Sequence, residues 1–170
     1  MAASSYQPDI REIPGHCYAA VYWVSGAICL PARRALQDHL NQSEAFLRLR
    51  GARIAGADSE LSFLALRRDS ISMIAPSERA ERLQRDGVGR QQERRVTCLL
   101  EAGVVTGTLE LMASLRVSDH LMREAGFILL RDCGLVWAAR RAPLPFASPV
   151  PVLLLNTRHI LGVTDTPTPR

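Results

Sequence analysis

Gln37-Asp38-His39-Leu40 and Ser118-Asp119-His120-Leu121 share the tripeptide Asp-His-Leu, and 81 positions (119 minus 38) separate their aspartates. The same offset aligns Cys17 with Cys98, Gly26 with Gly107, Phe46 with Phe127, Leu49 with Leu130 and Arg50 with Arg131. Further along the chain the offset becomes 89 (160 minus 71), where Ile71 aligns with Ile160. One offset and one inserted loop therefore predict a duplicated module.

Each copy has the same pattern of strands around one short helix. In the first copy, a strand over about 17–24 is followed by a turn at Ser25-Gly26 and a second strand to Leu30, because glycine supplies the backbone freedom of a tight turn or bulge. Leu36 and Leu40 lie four positions apart, as do Val117 and Leu121 in the second copy, and this spacing predicts a short amphipathic helix. Further strands are predicted over 45–54, 61–67 and 70–75, and over 126–137, 151–156 and 159–164.

These patterns predict a mostly β protein with a minor α component. The expected architecture is two tandem repeats, each a small β-barrel-like or bent sheet of about five strands with one short helix, packed about a pseudo-twofold axis. The predicted segments are an N-terminal tail over 1–16, repeat 1 over 17–76, a charged linker over 77–95, repeat 2 over 96–165 with a proline-rich insertion at 140–151, and a C-terminal tail over 166–170.

Composition indicates a globular chain with no expected membrane association. Of the 170 residues, 47% are hydrophobic and 22% are charged, which supplies enough apolar material for a buried core. The four cysteines form no C-x-x-C pair and lie in apolar stretches, which favours buried, reduced thiols. The N-terminus lacks the pattern of a signal peptide, so a cytoplasmic location is expected.

The two Asp-His pairs are interpreted as part of the fold. Neighbouring helical residues point about 100° apart, so a histidine and the adjacent aspartate do not face each other as a catalytic pair requires. Each aspartate comes near the start of its helix, where a carboxylate favours the positive end of the helix dipole. The structural motif comprises Asp38, His39, Leu40, Asp119, His120 and Leu121. No catalytic residue, metal site, cofactor or small-molecule substrate is predicted, and an enzyme is not expected.

The proline-rich insertion is the main difference between the copies. Proline density predicts an extended loop, whose candidate partner-binding residues are Arg140, Arg141, Leu144 and Phe146. Leu144 and Phe146 either meet a partner or fold back over the protein's own core, and the sequence leaves both alternatives open.

Arginine content raises nucleic-acid binding as an alternative. All 21 basic residues are arginines, and the formal net charge is +4. Arginine suits phosphate recognition because its planar guanidinium donates hydrogen bonds in pairs. However, single-strand binders stack bases on exposed aromatics, aromatics make up 5% of this chain, and Phe46 and Phe127 are expected to be buried. The candidate nucleic-acid-binding residues are Arg48, Arg50, Arg67, Arg68, Arg94 and Arg95.

Two family resemblances accompany these patterns. The run Arg116-Val117-Ser118-Asp119-His120-Leu121, after a glycine-containing stretch of G-x-L-x-L type, resembles the R-[LV]-S-D-x-L motif of a bacterial domain of unknown function. The stretch from Leu66 to Pro76 is similar to the last two strands of Sm-like small β-barrels. The first resemblance implies no activity. The second implies RNA binding, although Sm-like proteins have their helix before the first strand and here it follows the second.

The combined expectation is a non-enzymatic macromolecular-interaction protein. We expect an accessory or assembly subunit that binds another protein or associates with itself. The alternative is a small β-barrel that binds RNA or DNA through arginine-rich faces.

Overall fold

The structure, a computed structural model, describes residues 9–42, 44–79, 83, 90–123, 126–138 and 142–166. Within these ranges the protein is mostly β, with two short α-helices and two 3-10 turns. The strands are β1 Ile10–Ala19, β2 Tyr22–Pro31, β3 Phe46–Ile54, β4 Glu60–Arg67, β5 Ile71–Pro76, β6 Gln91–Leu100, β7 Gly103–Met112, β8 Phe127–Trp137, β9 Val150–Asn156 and β10 Ile160–Thr166. The helices are α1 Leu36–Leu40 and α2 Val117–Arg123, and the 3-10 turns are Arg68–Ser70 and Thr157–His159.

All ten of these strands belong to one open antiparallel sheet, in the order β10-β6-β7-β8-β9-β5-β1-β2-β3-β4. The first five strands are arranged β5-β1-β2-β3-β4, and the last five are arranged β10-β6-β7-β8-β9. The two halves meet where β5 pairs with β9, with Met73 opposite Leu155 and Ile74 opposite Leu154. Within the described ranges, β4 and β10 are therefore the outer strands of the sheet.

This junction corrects the expected packing. A pseudo-twofold axis would bring corresponding strands of the two halves together. The strands that meet are the fifth of the first half and the fourth of the second, so the expectation of a pseudo-twofold axis was wrong. The halves share one sheet, in a head-to-tail arrangement.

The core consists of two apolar clusters on opposite faces of the central strands. Successive residues of a strand point to opposite faces, and β8 uses both: Phe127 and Leu129 join the cluster of the first half, whereas Ile128 and Leu130 join that of the second. The same division holds on β9, where Leu154 and Leu155 belong to different clusters. The central strands are thus buried on both faces.

The two glycines that align at the 81-residue offset, Gly26 and Gly107, lie inside strands. The predicted turn at Ser25-Gly26 was therefore wrong. The turn between β1 and β2 falls at Ala20-Val21. Gly26 marks a bulge in the β2–β3 pairing, and Gly107 marks one in the β7–β8 pairing. A Cβ on Gly26 would lie 3.1 Å from the carbonyl oxygen of Arg50, so glycine permits the close approach of neighbouring strands.

Other bounds differ less from the prediction. β1 begins at Ile10 and β6 at Gln91, within the segments assigned above to a tail and a linker. The short helices lie where the leucine spacing predicts them, and Leu36 and Leu40 are buried. Among the described residues, neither helix has the length and apolar character needed to cross a membrane.

Candidate interaction surface

One face of the outer strand β4 and its neighbour β3 carries exposed aromatic and basic side chains. In the register of this pair, Phe46 lies opposite Arg67, Arg48 opposite Ala65, and Arg50 opposite Phe63. We call this set of six residues the β3–β4 surface. Phe46 is 50% exposed and Phe63 is 55% exposed. The prediction that Phe46 is buried was therefore wrong, whereas Phe127 is buried as expected.

The corresponding face of β8 and β9 is covered by the first half of the chain. There Phe127 lies opposite Asn156, Leu129 opposite Leu154, and Arg131 opposite Val152. Phe127, Leu129, Val152 and Leu154 pack into the cluster of the first half. α1 lies over this face, since the side chains of Asn41 and Gln37 donate hydrogen bonds to the carbonyl oxygen of Phe127 at 3.0 and 3.2 Å.

The structure brings three of the six arginines proposed for nucleic acid onto the β3–β4 surface, namely Arg48, Arg50 and Arg67. Arg50 Nη1 forms an exposed ion pair with Glu12 Oε1 at 2.8 Å. Arg68 instead contacts the end of α1, where its Nη1 donates a hydrogen bond to the carbonyl oxygen of Leu40 at 2.8 Å.

The remaining two candidates, Arg94 and Arg95, lie on β6 in the other half of the sheet. Arg95 Nη1 donates to the carbonyl oxygen of Asp132 at 3.1 Å. The six arginines therefore do not form one continuous basic face.

The proline-rich segment covers an aromatic cluster. Phe146 packs edge-on against Trp23 with ring centroids 5.2 Å apart, and its ring also contacts His16 at 5.7 Å. Trp137 Nε1 donates to the carbonyl oxygen of Ala142 at 2.7 Å. Leu144 is half-buried against the same core. Of the two alternatives left open by the sequence, Leu144 and Phe146 follow the one in which the loop covers its own core. Arg140 and Arg141 lie outside the described residues.

The two Asp-His-Leu motifs lie on different helices with different neighbours. α1 packs on β8, and α2 packs on β10. His39 is buried, with 6% of its surface exposed, and burial lowers its pKa below the ordinary value of 6.5. His120 and Asp119 are half-buried on α2. Ala35 is the N-cap of α1, and no side-chain cap hydrogen bond forms there; Asp38 lies in the first turn.

None of the four cysteines forms a disulfide, and three of them are buried. Burial raises the pKa of Cys17 to about 12, of Cys133 to about 12 and of Cys98 to about 11. In the described part of the chain, His, Cys, Asp and Glu residues form no group of three or more that could hold a metal ion.

The fold and the surface together define a β-rich protein with an exposed aromatic and basic patch next to β4, whose outer edge pairs with no other strand in the described part of the chain. Comparisons of the chain with protein-family models, with curated proteins and with solved structures found no match. The sequence signal for the patch was the alternation Phe46-Leu47-Arg48-Leu49-Arg50, because the buried leucines place Phe46 with the arginines on the other face.

Proposed function

We propose that this protein is a non-enzymatic assembly subunit that binds another protein through the β3–β4 surface. One observation carries the proposal: Phe46 and Phe63 are about half exposed, whereas Phe127 and Val152, at the same places on β8 and β9, are buried. Exposed aromatics beside arginines are the residue types enriched at protein interfaces. Among the described strands β4 pairs only with β3, and such a sheet edge can pair with a strand of another chain.

A duplication of one five-strand module underlies this proposal. Three observations support it. The first is the offset of Asp38 and Asp119, and the second is the matching of the strand orders β5-β1-β2-β3-β4 and β10-β6-β7-β8-β9. The third is the short helix that follows β2 in the first set and β7 in the second. In such a pair of modules, one β3–β4-type face is covered by the neighbouring module and the other is left for a partner.

The proposal is tested by placing a photo-crosslinking phenylalanine analogue at position 63 in the expressed protein. Tyr22, which is also 55% exposed but lies at the start of β2, is the matched control position. The expected result is a defined protein adduct at position 63 that is not formed at position 22. Equal labelling at both positions, or no protein adduct at position 63, would contradict the proposal.

Nucleic acid is the second candidate partner, because Arg48, Arg50 and Arg67 share the β3–β4 surface with two exposed phenylalanines. Guanidinium groups and aromatic rings are the combination that holds single strands. The measurement is fluorescence anisotropy of a labelled single-stranded RNA at two salt concentrations. Binding that weakens with salt and is lost in Arg48→Gln, but not in the β6 control Arg94→Gln, would favour this candidate.

A further inference from the structure

We infer that the partner of the β3–β4 surface is a second copy of this chain, docked head to tail so that β10 of one copy pairs with β4 of the next. The inference rests on the proposed function, because it names the partner of the same surface. It follows from the junction between the two halves, where β5 of the first half pairs with β9 of the second.

The internal junction has three components. The first is the short β5–β9 pairing, in which Met73 and Ile74 lie opposite Leu155 and Leu154. It is extended by a hydrogen bond from Asn156 Nδ2 to the carbonyl oxygen of Ile71, at 2.9 Å.

The second component is an ion pair between the 3-10 turns, where Arg158 Nη1 lies 3.0 Å from Asp69 Oδ1. The third is the contact of α1 with β8, in which Asn41 binds the backbone of Phe127. Pairing, charge and helix contact together join the two halves.

The two outer strands of the sheet are the counterparts of the two strands at this junction. β10 is the counterpart in the second half of β5 in the first half. β4 is the counterpart in the first half of β9 in the second half. With the offset of 89, Gly162 and Val163 replace Met73 and Ile74. Leu66 and Ala65 likewise replace Leu155 and Leu154. The docked register therefore places Gly162 opposite Leu66, and Val163 opposite Ala65.

The polar contacts of the junction are preserved under this exchange. Arg158 of one copy takes the place of Asp69, while Asp69 of the next copy takes the place of Arg158, and each of these groups also belongs to the ion pair within its own copy. The pair is again oppositely charged. Arg67 takes the place of Asn156, and its guanidinium can donate to the carbonyl oxygen of Ile160 as the amide does to Ile71.

The helix contact becomes apolar. By the offset of 81, Met122 on α2 takes the place of Asn41, and Phe46 takes the place of Phe127. Met122 is 78% exposed and Phe46 is 50% exposed. Docking would bury a flexible thioether against an aromatic ring, which is a favourable contact. Two exposed apolar side chains on opposite edges of the molecule thus meet at one interface.

Such an interface is heterologous, because each copy contributes a different surface to its two neighbours. Repetition of the contact gives a ring if the rotation closes and a filament if it does not. A rotation of about 180° per copy closes the ring at two copies, and a smaller rotation closes it at more. In every case the contact joins two different surfaces, β10 with α2 on one copy and β3–β4 on the next.

The test uses the purified full chain and its mass by sedimentation at several concentrations. Phe46→Asp blocks one surface and Met122→Asp blocks the other, and both side chains are exposed. We expect wild-type protein to form oligomers and each variant alone to be monomeric. An equal mixture of the two variants should form a dimer, because one intact interface remains between them. Tyr22→Asp, of similar exposure to Phe46, is the control and should keep the wild-type mass.

A monomeric wild-type protein, or a mixture of the two variants that stays monomeric, would overturn the inference. A second measurement does not depend on the folding of the variants. Protein that carries the phenylalanine analogue at position 63 and no other change is prepared in ¹⁴N- and ¹⁵N-labelled forms, and the two are mixed. Crosslinking should join differently labelled copies, and the attached residue of the second copy should lie in 117–123 or 160–166. If no adduct forms between differently labelled copies while position 63 still gives a defined adduct with another protein in the expressing cells, the proposed function is preserved and self-docking is overturned.

Discussion

Asn41 and Phe127, which are 86 positions apart, are joined by two hydrogen bonds between a side chain and a backbone: Asn41 Oδ1 accepts from the Phe127 N–H at 2.6 Å, and Asn41 Nδ2 donates to the Phe127 carbonyl at 3.0 Å. The residue that follows α1 thereby satisfies both backbone groups at the first residue of β8. Buried backbone groups left without a partner are costly, so this contact fixes the position of one half of the sheet against the other.

Asn41→Ala should destabilise the protein by about 1–3 kcal/mol, because the backbone N–H of Phe127 loses its acceptor. Gln37 still donates to the Phe127 carbonyl, so the loss falls mainly on the N–H. The measurement is the midpoint of urea unfolding. Asn41→Asp retains an acceptor oxygen and is expected to lie between wild type and Asn41→Ala. Equal stability of all three proteins would show that the contact contributes nothing.

Phe146→Ala should destabilise the protein by about 1–2 kcal/mol, because the ring is partly buried against Trp23. It should also change the near-ultraviolet circular dichroism, since Trp23 and Trp137 lie 5.4 Å apart in the same cluster. Ala147→Ser, an exposed change in the same segment, is the control. Unchanged stability and spectrum in Phe146→Ala would mean that the loop does not cover the core in solution, and would restore Phe146 as a candidate partner anchor.

The strand and helix positions were predictable where one periodic pattern governed them. Leu36 and Leu40 located α1, and alternating apolar residues located β3. The pairing of β5 with β9 was not predictable in the same way, because a side-chain pattern reports which face of a strand is buried and not which strand lies beside it.

A signal for the covered face was nevertheless present in the sequence. Phe127-Ile128-Leu129-Leu130 is continuously apolar, whereas Phe46 to Arg50 alternates between apolar and basic residues after Phe46. Continuous apolar strands are buried on both faces. The difference between two otherwise equivalent segments thus predicts that only the second half has its outer face covered.

The site was harder to predict than the fold. The contacts of Phe146 depend on Trp23, which comes from the other half of the chain, so local composition gave only the extended character of the loop. The exposure of Phe46 and Phe63 likewise depends on the strand order, because among the described residues no second half of the sheet lies beside β4 as the first half lies beside β9.

Native cysteine labelling should be confined to Cys29. Burial raises the pKa values of the three other cysteines to about 11 or 12, and only a thiolate reacts with iodoacetamide. The pKa of Cys29 is also raised, by partial burial and then by Glu12, so its labelling should be slow at pH 7 and rise by about tenfold per pH unit toward pH 9. Mass spectrometry of native and urea-unfolded samples measures this. Rapid labelling of Cys17 in the native protein would contradict the buried core.

Stability should decrease as the pH falls from about 7.5 to about 5.5, and His39 should contribute to this decrease. Burial lowers the pKa of His39 below its ordinary value of 6.5; the charge of Glu44 opposes this shift, and the charges of Arg34, Arg68 and Arg48 add to it. The unfolded chain therefore binds the proton first. The contribution of His39 is fully present above the unfolded pKa and is lost as the pH falls through it toward the folded pKa, with a slope of at most about 1.4 kcal/mol per pH unit.

His39→Gln tests this dependence by urea unfolding at three pH values across that window. The variant should show a shallower decrease than wild type, because the group that takes up the proton on unfolding is gone. His16 is the comparison: its pKa is also lowered by burial, so His16→Gln should remove a separate part of the slope, and the double variant should remove both. An unchanged slope in His39→Gln would mean that His39 is accessible to protons in the folded protein, and the packing of α1 over the core would then need revision.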